Sequence, residues 1–171
     1  MLLKKAYTLV FIRTATQILL GFKKRGFGVN LYNGFGGKIE PNETIVDAAL
    51  RELKEECCLT VRKSDLKNVG HLEFSFEGEP NLMVVSVFSS NIYEGTPKDT
   101  EEMSVKWFNY SEIPFQKMWP DDAIWLPLML ENKLFYGRFH YINNNTIGHY
   151  KVEELKSMEE FYAKRNLGSV N

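Results

Sequence analysis

Cysteine is almost missing from this chain, and the two that occur, Cys57 and Cys58, are neighbours. Adjacent cysteines cannot staple distant segments, and they lack the spaced pairs of a zinc site, so a disulfide framework and a zinc finger are both excluded. A reducing compartment suits this composition. Histidine is also scarce: His71, His140 and His149 have no spacing that proposes a triad or a metal cluster. Charge of one sign is lacking too. With 21 basic and 22 acidic residues the formal net charge is −1, which is not the basic surface of a polymeric nucleic-acid binder. Long apolar runs are absent. The opening stretch is broken by Lys4, Lys5 and Arg13 before reaching the roughly 18 residues of a membrane span, and it lacks the ordered segments of a signal peptide. The expectation is a soluble, monomeric protein of the cytoplasm, with nucleus or mitochondrion as alternatives, that binds neither membrane nor polymeric nucleic acid.

What is present suits one globular domain. The 171 residues include 44% hydrophobic and 25% charged ones, enough for a sizeable core. Residues 6–12 and 17–22 are rich in β-branched, aromatic and aliphatic side chains and predict two strands. A glycine-rich loop runs from Gly26 to Gly37. From Thr44 the period changes: Val46, Leu50, Leu53 and Cys57 form the apolar stripe of a helix, with Thr44 as N-cap and Asp47 as a shortened capping-box acid. Leu72 to Phe76, Leu82 to Phe88 and Val105 to Tyr110 predict further strands. Ala123 to Asn132 predicts a short helix, with Pro127 acceptable only in its first turn or at a kink. A strand over Phe135 to Ile142, a turn at Asn143 to Asn145 and a C-terminal amphipathic helix over Glu153 to Arg165 complete the chain, and the last six residues are expected to be loose. Strands enclosed by helices, without repeats or linkers, make a mixed α/β domain.

Glu52, Glu55 and Glu56 are the most informative residues. At about 100° per residue they share one arc of the helix beside its apolar stripe, so three carboxylates aim at one place. Such crowding is unfavourable unless solvent or a cation relieves it, and oxygen-only ligands suit a hard ion such as Mg²⁺. Ala48 and Ala49, a turn earlier, would leave room for a ligand. A solvated acidic face paired with Arg51 and Lys54 is the plainer alternative for the glutamates alone.

The larger pattern decides between them. From Gly37, five residues lead to Glu43 and seven more to Arg51-Glu52-Leu53-Lys54-Glu55-Glu56. This resembles the Nudix box at all its charged positions. The resemblance implies a single Nudix domain over 1–171, of α/β (α+β) class, with a mixed sheet sandwiched between helices. It implies catalytic roles for Glu43, Arg51, Glu52, Glu55 and Glu56. The implied cofactor is Mg²⁺, with Mn²⁺ as alternative, held by Glu52, Glu55, Glu56, the Gly36 carbonyl and Glu102, although Glu101 stands beside the last. One departure is Cys58, where the family pattern has glycine; an altered helix exit is the expected result.

The segments YTLV, KKRGFG, NGFGGK, FSFEGEP and FQKMWPDD resemble the eukaryotic MutT-homologue branch of that family, the oxidised purine nucleoside triphosphatases. Trp119-Pro120-Asp121-Asp122 pairs an aromatic platform with two acids that cannot easily ionise together in a dry pocket. Helix capping is the alternative role for these acids. The resemblance further places Thr8, Lys23 and Asn33 in the substrate pocket, with Phe27, Phe74, Phe76 and Met83 as apolar walls. Phe35, Gly36, Gly37 and Lys38 follow at the phosphate end, where Lys38 offsets charge. The implied partner is a small nucleotide and the implied reaction is cleavage of an oxidised purine nucleoside triphosphate to monophosphate and pyrophosphate. A Nudix hydrolase of another nucleoside diphosphate derivative and a non-catalytic nucleotide- or RNA-binding module are the rivals.

Overall fold

The computed structural model describes residues 1–166. Its centre is an eight-stranded mixed sheet: β1 (Leu3–Arg13), β2 (Gln17–Lys23), β3 (Tyr32–Asn33), β4 (Lys67–Phe76), β5 (Asn81–Ser90), β6 (Met103–Asn109), β7 (Leu134–Asn143) and β8 (Thr146–Leu155). Strand β1 runs parallel to β5 from Leu3↔Asn81 to Ile12↔Ser90, and β4 parallel to β7; the other pairings are antiparallel. Val10, Phe11 and Ile12 are all fully buried. An unbroken apolar run of this kind fits a strand covered on both faces.

Those faces build two cores. Helix α1 (Ile45–Cys57) lays Ala49, Leu53 and Cys57 against Val10, Ile12, Leu19 and Phe88. Helix α2 (Asp122–Leu130) lays Trp125, Leu126 and Met129 against Phe11, Ile18, Leu20, Phe135 and Phe139 on the other side. The period-two alternation of β1 and β2 thus sends neighbouring residues to opposite layers. Pro127 sits inside α2 rather than in its first turn. The carbonyl it leaves without a donor belongs to Ala123, an exposed residue.

The sheet forks between β1 and β2. These strands share only the pairs Ile12↔Leu19 and Arg13↔Ile18 at their hairpin end. Beyond it β2 turns to β3, through Gly21↔Asn33 and Phe22↔Tyr32, and the chain after β3 bonds to β1. The Val10 N–H donates to the Phe35 carbonyl at 2.6 Å and the Thr8 N–H to the Gly37 carbonyl at 2.9 Å. The glycine-rich segment is therefore wedged into the sheet.

At the C-terminal end the sequence expectation needs correction. Glu153 to Leu155 belong to β8, paired with Tyr136 to Leu134, and the helix α3 covers only Met158–Lys164. Its N-cap is Ser157, whose hydroxyl accepts the Glu160 N–H. Leu155, Met158 and Tyr162 are spaced as in a helix, but the first lies before a turn; all pack toward Tyr136. Beyond Asn166 the expected loose tail lies outside the described residues. No described helix is long and apolar enough to cross a membrane.

Candidate active site

Thr44 caps α1 as its sequence predicts, accepting the Asp47 N–H at 3.0 Å while its own hydroxyl donates to Asp47 at 2.7 Å. The helix so started presents its glutamates at graded depth. Glu56 has a side chain only 3% exposed. It accepts the Gly36 N–H at 2.7 Å and lies 3.8 Å from the Lys23 ammonium. Burial pushes its pKa up to about 7, against the pull of those two partners. Burial also raises Glu52, which Arg51 holds in the opposite direction. Glu55 is largely exposed and meets Arg51 at 3.3 Å.

Arg51 ties this face together. Its guanidinium donates to Glu43 at 2.6 and 3.0 Å, to Glu52 at 2.9 Å, and to the Lys38 carbonyl at 3.3 Å. The Glu43 hydrogen bond leads in holding Arg51 protonated, and Arg51 in turn lowers the pKa of Glu43. Glu102 accepts from Arg25 at 2.7 Å and lies 3.3 Å from Lys23, with its pKa lowered first by the Arg25 bond. Glu101 points outward, 88% exposed, so Glu102 is the one that faces the helix. Lys23 thus lies between Glu56 and Glu102.

Three expectations about this helix change. The glutamates do not meet at one point: among the described residues no three acidic, histidine or cysteine side chains form a ready metal cluster. Like charges separate, and each takes a cation or an N–H as partner. Ala48 and Ala49 leave no ligand space either, because both are fully buried; small side chains let α1 approach the sheet. The exit of α1 is also not altered. Cys58 itself takes the left-handed conformation, φ 67°, and its N–H closes onto the Lys54 carbonyl at 3.0 Å.

The wedge explains its glycines. A Cβ on Gly36 would lie 1.9 Å from the Thr8 carbonyl oxygen, and one on Gly37 would lie 2.4 Å from Glu52 Oε1. Only bare backbone fits between β1 and the carboxylates.

Beside the wedge is a cavity of about 250 Å³. Thr8, Lys23, Phe27, Asn33, Gly36, Gly37, Phe74, Phe76, Met83, Trp119, Asp121 and Asp122 all line it. Phe35, Lys38 and Pro120 do not. Phe35 is fully buried in the α1 core, Lys38 is exposed and bridges Tyr7 through its backbone, and Pro120 only carries the chain between its neighbours. The walls also include Tyr7, Leu9, Leu72, Val85, Met103, Trp125 and Tyr141, which sequence reasoning missed. Phe27, 61% exposed, stacks on Trp119 with centroids 5.0 Å apart and forms the rim. Asn33 Oδ1 accepts the Gly34 N–H at 2.8 Å, so part of its donor and acceptor capacity is used by the loop.

Asp121 and Asp122 enter the cavity at the start of α2, both 3% exposed. Neither works as a cap, for Asp121 stands at the N-cap position without a side-chain capping bond. Asp121 accepts from the Tyr141 hydroxyl at 2.5 Å and from the Trp125 indole N–H at 2.8 Å. Asp122 Oδ2 and the Thr8 hydroxyl are buried without any partner. Burial raises both carboxyl pKa values, and the Asp121 charge adds to the rise at Asp122.

Known proteins resemble this chain in sequence and fold. The family model described as NUDIX domain matches residues 3–129. The chain is 47% identical over 153 residues to the "Oxidized purine nucleoside triphosphate hydrolase" of Mus musculus, covering 90% of this chain and 97% of the relative. It is 44% identical over 158 residues to the protein of the same name from Danio rerio, covering 92% and 100%. A crystal structure of a MutT protein from Bacillus halodurans superposes with a TM-score of 0.77 at 25% identity, covering 87% of this chain and 97% of that one. The box spacing, the carboxylates carried on α1 and these matches together show that the chain belongs to the Nudix family.

Proposed function

We propose that this protein hydrolyses oxidised purine nucleoside triphosphates, among them 8-oxo-dGTP and 2-hydroxy-dATP, to the monophosphate and pyrophosphate, and so removes damaged precursors from the nucleotide pool. The observation that carries this reading is one continuous site. Lys23, Gly36 and Gly37 line the apolar cavity and also touch Glu56, Glu52 or Glu102. A base in the cavity would therefore lead its phosphates onto the carboxylate face.

Within that site each group has a chemical task. Trp119 and Phe27 offer aromatic faces to a purine, while Thr8 and Asp122 hold unpartnered polar atoms toward its edge. Lys23 attracts phosphate. Glu52, Glu55, Glu56 and Glu102, with the Gly36 carbonyl, would supply the oxygen donors for a hard divalent cation, Mg²⁺ or alternatively Mn²⁺, whose charge would draw the separated carboxylates together. That ion, when bound, supplies charge neutralisation and lowers the pKa of a water. Arg51 keeps Glu52 and Glu43 in place from behind. The buried carboxyl of Glu56, with its raised pKa, is suited to hold a proton near neutrality.

The test is a side-by-side assay of 8-oxo-dGTP, 2-hydroxy-dATP, dGTP, ADP-ribose and a dinucleoside polyphosphate with Mg²⁺. Preference for the oxidised purines, with pyrophosphate released, supports the reading. Preference for ADP-ribose or the dinucleotide overturns it in favour of another Nudix substrate.

A further inference from the structure

Asp121 and Asp122 are adjacent and equally buried, yet their surroundings differ in kind. The indole nitrogen of Trp125 can only donate, so the Asp121 oxygen it meets at 2.8 Å must be an acceptor. The Tyr141 hydroxyl donates to the other Asp121 oxygen, 2.5 Å away, while its own oxygen accepts the Asp121 backbone N–H at 3.2 Å. Both oxygens of Asp121 are thus accepting. Asp122 meets no hydroxyl; the Trp119 and Trp125 N–H groups pull on it less than burial and the Asp121 charge push it, and its Oδ2 is buried without a partner in the cavity wall.

We propose that Tyr141 is a positioning residue of the cavity. Its hydroxyl, together with the Trp125 indole, holds Asp121 as the carboxylate of the pair and so leaves the shared proton on Asp122. The assignment rests on the proposed purine pocket for its functional meaning, although the hydrogen-bond network stands without it.

The remaining charged and titratable groups along this cavity are Lys23 of β2 and Tyr7 of β1, opposite α2. Neither donates a hydrogen bond to Asp121; its donors come from α2 and β7. The raised pKa of Asp122, caused by burial and then by the Asp121 charge, agrees with this division. The consequence is a fixed edge: Asp122 presents an O–H donor to the ligand, while Asp121 offers only acceptor capacity. Two purines whose edges differ in donor and acceptor order would then be read unequally. Without the tyrosine hydroxyl, one Asp121 oxygen is free to take the proton, and the pair can present either order.

The experiment is a titration of the aspartate carboxyls by ¹³C NMR in the free protein, in wild type, Tyr141→Phe and Trp125→Phe. Wild type should show Asp121 ionised through the neutral range and Asp122 protonated to higher pH. Either substitution should move the Asp121 titration upward by roughly one pH unit, the worth of one hydrogen bond to a charged group. In parallel, the ratio of kcat/KM for 8-oxo-dGTP over 2-hydroxy-dATP should move toward one by about fivefold in Tyr141→Phe. A merely structural hydroxyl would lower Tm without moving either readout. Two results overturn the proposal: an Asp121 titration unchanged in both variants, or Asp122 as the ionised member in wild type. Since the titration needs no substrate, inactivity toward oxidised purines would defeat the proposed function alone, and the carboxyl resonances would still decide the role of Tyr141.

Discussion

The two ends of the site handle crowded negative charge in opposite ways. On α1 and just before it, Glu43, Glu52, Glu55 and Glu56 are each met by Arg51 or Lys23, and Glu102 by Lys23 and Arg25. At the start of α2, Asp121 and Asp122 have no cation as an ion-pair partner; Asp121 has two neutral donors, and Asp122 Oδ2 has no partner. The first end is met by exchangeable counter-charge, which suits a place where phosphate and metal arrive, although burial still raises the pKa of Glu52 and Glu56. The second is kept apolar enough to retain a proton, which suits the reading of an uncharged base. Burial alone does not distinguish them, since Glu56 is as deeply buried as either aspartate. The available partners do.

Substituting at the cationic end should give the largest effect. Glu56→Gln removes a charge at nearly constant volume, so turnover with Mg²⁺ should fall by at least about a hundredfold while Tm stays near wild type. Near-normal turnover of the purified variant would remove Glu56 from the metal set.

At the other end the comparison becomes sharper between the two aspartates. Asp121→Asn turns an NH₂ toward donors from Tyr141 or Trp125 and should cost about 1–3 kcal/mol in urea unfolding. Asp122→Asn resembles the protonated acid and should cost well under that. Equal losses in the two variants would mean that the carboxyls are not distinct.

Glu73, on β4 but outside the cavity lining, tests whether donors outweigh burial. Burial raises its pKa, but His71, Tyr136 and Arg165 outweigh that rise and leave it lowered. A depressed carboxylate stabilises the fold above its unfolded pKa, about 4.3, and that contribution is lost as pH falls through the folded value. Glu73→Gln should therefore lose about 1–3 kcal/mol near pH 7, and the difference should shrink below about pH 4. A difference that stays constant down to pH 3 would assign the loss to packing.

The smallest effect is expected at Cys58. Glycine there relieves a left-handed φ but adds chain entropy in the unfolded state, so Cys58→Gly should raise stability by no more than about 1 kcal/mol. Substrate preference should not move. A changed nucleotide ranking at constant Tm would give Cys58 a role that its position at the helix exit does not suggest.

The legible parts of the chain were those written in local pattern. The period and cap of α1 and the alternation of β4 could be read because burial on one face leaves a repeating signal. Strand β8 could not, for six of its ten residues are exposed and none is buried; without an apolar alternation its last residues read like the start of a helix. Most of the cavity lining was recovered through resemblance, but Phe35 was misassigned because a loop residue's facing is set by its bonds to β1. Tyr141 went unnoticed since it alternates like any strand aromatic; its hydroxyl gains meaning only when β7 passes the start of α2. Arg25 escaped notice for a similar reason, its bond to Glu102 spanning distant segments.

The fork in the sheet carries a consequence for motion. The Thr8 and Val10 amides are held by the segment that also supplies Gly36 and Gly37, so this loop cannot lift without unzipping part of β1. Amide hydrogen exchange at Thr8 and Val10 should consequently be as slow as in the strands around them. Phe27, outside the fork and mostly exposed, belongs to the least protected part of the rim. The phosphate end of the site is therefore as rigid as the sheet, and any adjustment to differently shaped bases is left to the aromatic rim.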